Sequence, residues 1–218
     1  MEITRQAKLE AIAAELQQLS ASPLYQYRVD NKYLPVLGEG SPYAALMLIG
    51  EAPGEWEAKS GRPFVGASGR LLDTLLQSIG LRRAEAYITN VVKDRPPENR
   101  PPTAPEVRLY TPFLRRQIEI IQPQVIATLG RFAMEFLFDF LAMPQKGQKI
   151  SQMHGQSLPA QAAYGPITVV PLYHPAVALY TAAQRDTLNA DFQVLKPLIA
   201  AQDRSEASAA EASTAQSA

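Results

Sequence analysis

Three side chains able to do chemistry stand at the ends of apolar runs. Glu51 lies in the turn Gly50-Glu51-Ala52-Pro53-Gly54-Glu55-Trp56-Glu57, directly after Ala44-Ala45-Leu46-Met47-Leu48-Ile49. Asn90 closes Tyr87-Ile88-Thr89-Asn90, and His174 closes Val169-Val170-Pro171-Leu172-Tyr173-His174-Pro175. A carboxylate, an amide and an imidazole at three strand ends offer titratable and hydrogen-bonding groups, the chemistry of a pocket rather than of a core. In open α/β sheets, ligands bind outside the carboxyl ends of the strands.

The rest of the pattern supplies the elements that must hold these groups. Continuous Val/Ile-rich runs predict strands over residues 45–49, 86–92, 124–129 and 166–172. Helical spacing covers 3–19 and 68–79, the latter stopped by Gly80. Asp94-Arg95-Pro96-Pro97-Glu98-Asn99-Arg100-Pro101-Pro102 holds four prolines, which forbid helix and central strand alike. Thr103 followed by Glu106 makes a capping-box start for a helix to about Ile121, with Pro112 expected to kink or divide it. Further helices are expected over 131–141 and 186–200. Strands alternating with helices predict an α/β fold, three layers α/β/α around a mainly parallel four-stranded sheet. The expected organisation is an N-terminal helix over 1–19 packed on a domain of residues 20–200. Residues 201–218, rich in Ala, Ser, Glu and Gln without periodicity, read as a disordered tail.

Composition narrows the function. The chain has 218 residues, a formal charge of zero and no cysteine. No apolar run approaches the ~20 residues of a membrane span, and no signal-peptide pattern opens the chain. The expectation is a cytoplasmic monomer without a membrane partner. Zero net charge argues against a protein that coats nucleic acid, though not against an enzyme gripping a few phosphates. Without thiols there is no disulfide, thiolate nucleophile or cysteine-ligated metal. With only two histidines, His154 and His174, and no clustered carboxylates, no metal site is predicted.

The ordered set of motifs resembles the uracil-DNA glycosylase superfamily, most closely its family 4. The resemblance runs over residues 20–182. It rests on Gly50 to Glu57, Gly61-Arg62-Pro63-Phe64-Val65-Gly66, Gly69-Arg70-Leu71-Leu72, Tyr87 to Lys93, Arg95 to Arg100, Leu129-Gly130-Arg131 and His174-Pro175-Ala176. It implies an enzyme that flips uracil out of DNA and hydrolyses its glycosidic bond. By that resemblance Phe64 stacks on the base and the Asn90 amide reads O4 and N3–H. His174 donates to the O2 that gains charge, and Glu51 is the first candidate to stabilise the sugar cation and orient water. Asn99 helps hold the water or a phosphate, and Glu57 shapes the pocket near the C5 edge, with Ala52 also against the substrate. Which carboxylate serves as base stays open. Arg62, Lys93, Arg95 and Arg100 are candidate phosphate contacts, with Lys59 and Arg131 beside them. Leu179 or Tyr180 is the candidate wedge into the gap left by the flipped base. Two other readings remain: a low-turnover relative that binds uracil-containing DNA, and a glycosylase for another deaminated base such as hypoxanthine.

The chain also departs from the pattern it resembles. Family 4 implies four cysteines around a 4Fe–4S cluster, and those positions fall near Leu19, Ser22, Asp94 and Tyr110. None is a cysteine, so no cofactor is expected, and apolar packing of Leu19, Leu24, Tyr110 and Leu114 is expected to replace the cluster. Ala58 stands where the family has Asp after Glu57. Tyr180 stands where it has Arg, six residues past His174.

Overall fold

The computed structural model describes residues 3–200; the expected tail over 201–218 lies outside them. In chain order the elements are α1 (Arg5–Gln17), α2 (Tyr25–Asp30), β1 (Glu39–Gly40), β2 (Leu46–Gly50), α3 (Glu55–Ser60), α4 (Ala67–Ser78), β3 (Tyr87–Asn90), α5 (Ala104–Ile121), β4 (Val125–Leu129), α6 (Arg131–Phe140), α7 (Ile150–Met153), β5 (Leu158–Ala162), β6 (Gly165–Leu172) and α8 (Ala182–Gln193). The sheet order is β1-β3-β2-β4-β6-β5. Strands β3, β2, β4 and β6 are parallel, while β1 and β5 add antiparallel edges. The sheet therefore has six strands, not four. The four expected strands are the parallel ones. The edges escaped notice because β1 has two residues and β5 carries Pro159, which reads as a breaker.

Alternation along the buried strands separates two cores. Met47 and Ile49 face one side with Ile126 and Val169; there they meet Leu9, Ile12 and Leu16 of α1, Tyr110, Leu114 and Ile118 of α5, and Met134 and Leu137 of α6. Leu46 and Leu48 face the other side with Ile88 and Val170, against Leu72, Leu75 and Leu76 of α4 and Leu188 and Phe192 of α8. Each such fully buried aliphatic side chain contributes roughly 1.5–3 kcal/mol. Three layers result. The chain leaves β2 toward β3 on one side and returns to β4 on the other, which opens a crevice at the strand carboxyl ends.

Helix ends follow local chemistry. The Thr4 hydroxyl accepts the Ala7 N–H at 3.2 Å to start α1. Glu106 accepts the Thr103 N–H at 2.8 Å to start α5. Pro112 does not divide α5, which runs unbroken to Ile121. Pro112 and Arg108 both lie on the exposed face, so the Arg108 carbonyl that loses its helical partner meets water. The last helix starts earlier than expected because Thr181 caps it, and it breaks at Val194 before resuming over 195–200. Among the described residues no helix is long and apolar enough to cross a membrane.

Candidate active site

The three strand-end groups converge. Gly50 pairs in register with Asn90, and beyond the strands the ladder continues through Val91 N–H to the Gly50 carbonyl at 2.9 Å. On the other side of β2, Leu129 pairs with Leu172, and the Gly130 N–H donates to the Leu172 carbonyl at 2.8 Å. Ala52, Glu57, Phe64, Asn90, Asn99 and His174 line one cavity of about 520 Å3 together with Trp56. Glu51 lies in an adjoining recess of about 220 Å3 that shares Asn99 and His174 with the first. A larger groove of about 850 Å3 runs past Ile3, Arg5 and Gln122 at the amino ends of the strands. Size alone does not locate the chemistry: Arg116 of that groove is taken up by a surface ion pair with Glu15.

Glycine makes the convergence possible. A Cβ on Gly50 would stand 2.4 Å from Asn90 Oδ1 and 2.7 Å from Phe64 Cζ. Phe64 itself has φ of 49°, unusual for an aromatic residue. Its turn is clamped from two directions. Arg83 donates to the carbonyls of Pro63 and Phe64. One Glu57 oxygen, Oε1, accepts the N–H groups of Val65 at 2.8 Å and Gly66 at 3.0 Å. Arg83 carries no signal in the sequence, because nothing local distinguishes it from a surface arginine. Glu57 thus positions the aromatic ring besides lining the cavity.

His174 shows which nitrogen carries its proton. Nδ1 receives the Ala176 backbone N–H at 3.1 Å, so Nδ1 holds the lone pair. Burial holds the imidazole below its ordinary pKa, opposed by the charge of Glu57. A neutral ring with Nδ1 as acceptor carries its hydrogen on Nε2. The Phe64 and His174 ring centroids are 5.8 Å apart. The other histidine is structural: His154 Nδ1 and Asp191 Oδ2 share a 2.8 Å hydrogen bond, with the ring against Tyr173. Burial pushes the Glu51 carboxyl above its ordinary range, opposed by the charge of Arg131. Asn99 has φ of 54°, and its Oδ1 accepts Arg95 Nε at 2.9 Å, leaving its NH2 as the free half of the amide.

The candidate phosphate contacts fare unequally. Lys93 is a correction: it is 0% exposed and cannot reach a phosphate. Its ammonium stem runs inward, where Nζ donates to Thr89 Oγ1 and to the Asn90 carbonyl, both at 2.7 Å. Lys93 braces the strand end that carries Asn90. Arg62 pairs with Glu39, Arg100 with Glu106, Lys59 with Glu55 and Arg131 with Glu135. Arg95 donates to the Tyr33 hydroxyl at 2.6 Å and lies 3.8 Å from Glu55. Leu179 and Tyr180 are 39% and 83% exposed, at the end of a short helical turn whose Pro175 and Ala178 are buried.

The positions that the resemblance gives to cluster cysteines do not fit an iron–sulfur cluster. The chain has no thiolate, and three of the four side chains are bonded to one another. Ser22 Oγ and Tyr110 OH share a 2.7 Å hydrogen bond, and Tyr110 OH donates to Asp94 Oδ2 at 2.6 Å. Arg28 Nη1 pairs with Asp94 at 3.1 Å, and the same guanidinium donates to the Leu16 and Gln17 carbonyls at the end of α1. Leu24, Tyr110 and Leu114 are buried as expected, but the joint itself is polar rather than apolar. Asp94→Ala leaves the Arg28 charge buried without a partner, a loss of about 3–5 kcal/mol. The expected fall in Tm is about 6–20 °C for a chain of this size. Calorimetry with and without chelator checks this; a wild-type Tm that drops in chelator would point to a metal instead.

The chain is similar to known proteins of one family. Residues 37–196 match the family model described as the Uracil DNA glycosylase superfamily. The chain is 43% identical to the type-4 uracil-DNA glycosylase of Sulfurisphaera tokodaii, over 87% of this chain and 84% of that protein. It is 42% identical to the type-4 enzyme of Saccharolobus solfataricus (86% and 85%) and 41% identical to that of Archaeoglobus fulgidus (79% and 84%).

Proposed function

The chain belongs to the uracil DNA glycosylase superfamily and acts as a uracil-DNA glycosylase, and on that footing we propose how its residues divide the work. Uracil-containing DNA is the substrate. The uridine leaves the stack and enters the cavity, where Phe64 stacks on the base and the Asn90 amide meets O4 and N3–H. Ala52 and Glu57 close the pocket around it. As the C1′–N1 bond breaks, His174 Nε2–H donates to the O2 that gains negative charge. Glu51 stabilises the positive charge on the sugar and, with Asn99, orients the water that attacks C1′. Arg62, Arg95 and Arg100 meet phosphates by exchanging their carboxylate partners, and Leu179 or Tyr180 fills the gap in the stack. The observation that carries the reading is the fixed tautomer of His174 beside the Phe64 ring in the lining of one cavity. The donor set supports chemistry without an iron–sulfur cluster. We take the working form to be a monomer, and a DNA substrate supports a cytoplasmic place.

The test is alkaline strand cleavage of an oligonucleotide holding one uracil, with hypoxanthine and G·T oligonucleotides alongside. Release of uracil alone supports the reading; release of hypoxanthine alone moves the base specificity. Its pH dependence has a definite sign. Glu51 works ionised, and burial raises its pKa. Activity therefore falls as pH drops through a value above the ordinary carboxylate range. Burial also holds His174 below its ordinary value, which moves its protonation toward the acid side. In Glu51→Gln the acid limb shifts or shrinks by the part that Glu51 supplies. An unchanged acid limb in that variant would assign the titration to another group.

A further inference from the structure

Trp56 is the only tryptophan of the chain, and it is 66% exposed. Tryptophan is enriched at interaction surfaces, where its ring supplies a large contact face. It stands on the first turn of α3 and lines the cavity that holds Phe64, Asn90 and His174. Lys59 Nζ lies 5.2 Å over the ring, and a Cβ on Gly66 would be 3.9 Å from Cδ1, so the indole is seated rather than loose. The cavity, at about 520 Å3, is of the size that buries a drug-like ligand, more room than one pyrimidine needs. Around it, Lys59, Arg62, Arg95 and Arg100 are each committed to a carboxylate. Those pairs temper phosphate attraction without removing it, and base stacking adds an attraction that no carboxylate offsets.

We propose that Trp56 is the stacking platform for the nucleobase next to the flipped uracil, and that it favours uracil in single-stranded DNA. This rests on the uracil-excision reading above. In a duplex the neighbouring base keeps its pair and one stacked neighbour, and the face freed when uracil flips is met by Leu179 or Tyr180 filling the gap, so the indole finds no open face. In a single strand the neighbour swings freely and offers a face to Trp56. Stacking is indifferent to base identity, because every base has a π-face. The preference is therefore for strand form, not for sequence context.

A chain with one tryptophan reports the contact directly. The wild-type protein is titrated with a uracil-free single strand and with the same sequence as a duplex, following indole emission. Saturable quenching by the single strand, at concentrations where the duplex quenches little, is the expected result. In parallel, kcat/KM is measured on single-stranded and duplex uracil substrates for wild type, Trp56→Ala and Trp56→Phe. The single-strand-to-duplex ratio falls by about 5–150-fold in Trp56→Ala, the span of one lost base–aromatic stack, and Trp56→Phe restores most of it. Equal quenching by both forms, or an unchanged ratio in Trp56→Ala, overturns the platform while leaving excision standing. Strand-selective quenching by a protein that releases no uracil overturns the excision reading and keeps the platform.

Discussion

Replacing His174 with alanine lowers the single-turnover rate of uracil release by about 10²–10³-fold, the usual loss for one donor to a developing oxyanion. Binding to uracil-containing DNA changes far less. The asymmetry follows from where the charge is: O2 becomes anionic only as the bond breaks, so the Nε2–H bond strengthens in the transition state and hardly exists in the ground state. The Ala176 N–H on Nδ1 makes this sharper, since it removes the tautomer that could not donate. The measurement pairs rapid-quench excision with equilibrium binding at the same salt. A proportional loss in both would make His174 a ground-state contact. No loss in either would leave the His174-Pro175-Ala176 turn as scaffold only.

Gly50→Ala adds one methyl group and is expected to reduce kcat/KM by about 10²-fold, the scale of a misplacement near 1 Å. The new Cβ would overlap both Asn90 Oδ1 and the Phe64 ring, at 2.4 and 2.7 Å. Neither can retreat easily. Phe64 is held by Arg83 and Glu57 through its own turn, and Asn90 sits on a strand end braced by Lys93. The same overlap strains the fold by about 1–3 kcal/mol. Activity and melting are measured together, with Gly80→Ala as the reference for strain away from the pocket: its φ of 80° disfavours a side chain, but a Cβ there meets nothing within 4 Å, so it lowers Tm without lowering kcat/KM. Activity in Gly50→Ala close to that of the wild type would show that the pocket adapts, and the close approach at Gly50 would lose its meaning.

Much of this was legible from the sequence, for a specific reason. The four parallel strands are buried on both faces, so each is a continuous apolar run, and each run ends where a polar residue must face the crevice. Glu51, Asn90 and His174 announce themselves by that break in pattern. Lys93 shows the limit. A lysine is nearly always solvated, and nothing in Val91-Val92-Lys93-Asp94 reveals that its stem turns inward to Thr89 and the Asn90 carbonyl. The joint at Asp94 was hidden for another reason: Arg28 and Asp94 are 66 positions apart, and without a periodic signal such pairing cannot be inferred. Arg83 behind Phe64 is the same case. Trp56 lay in plain view within the Gly50-to-Glu57 turn, but exposure, which gives it meaning, is a property of the folded surface.

The tie between Arg28 and Asp94 also sets an order of events at the ribosome. Helix α1 is made before α5, yet its apolar stripe of Leu9, Ile12 and Leu16 has nothing to lie against until α5 exists. Its last carbonyls are held by Arg28, whose charge can be buried only after Asp94 and Tyr110 have been synthesised. At ~5–20 residues per second, the roughly 84 residues from Arg28 to the middle of α5, near Pro112, take about 4–17 s to emerge. For that interval the segment of α1 and α2 is poorly secured, with an exposed apolar stripe and a charge awaiting its partner, and only the arrival of α5 completes it.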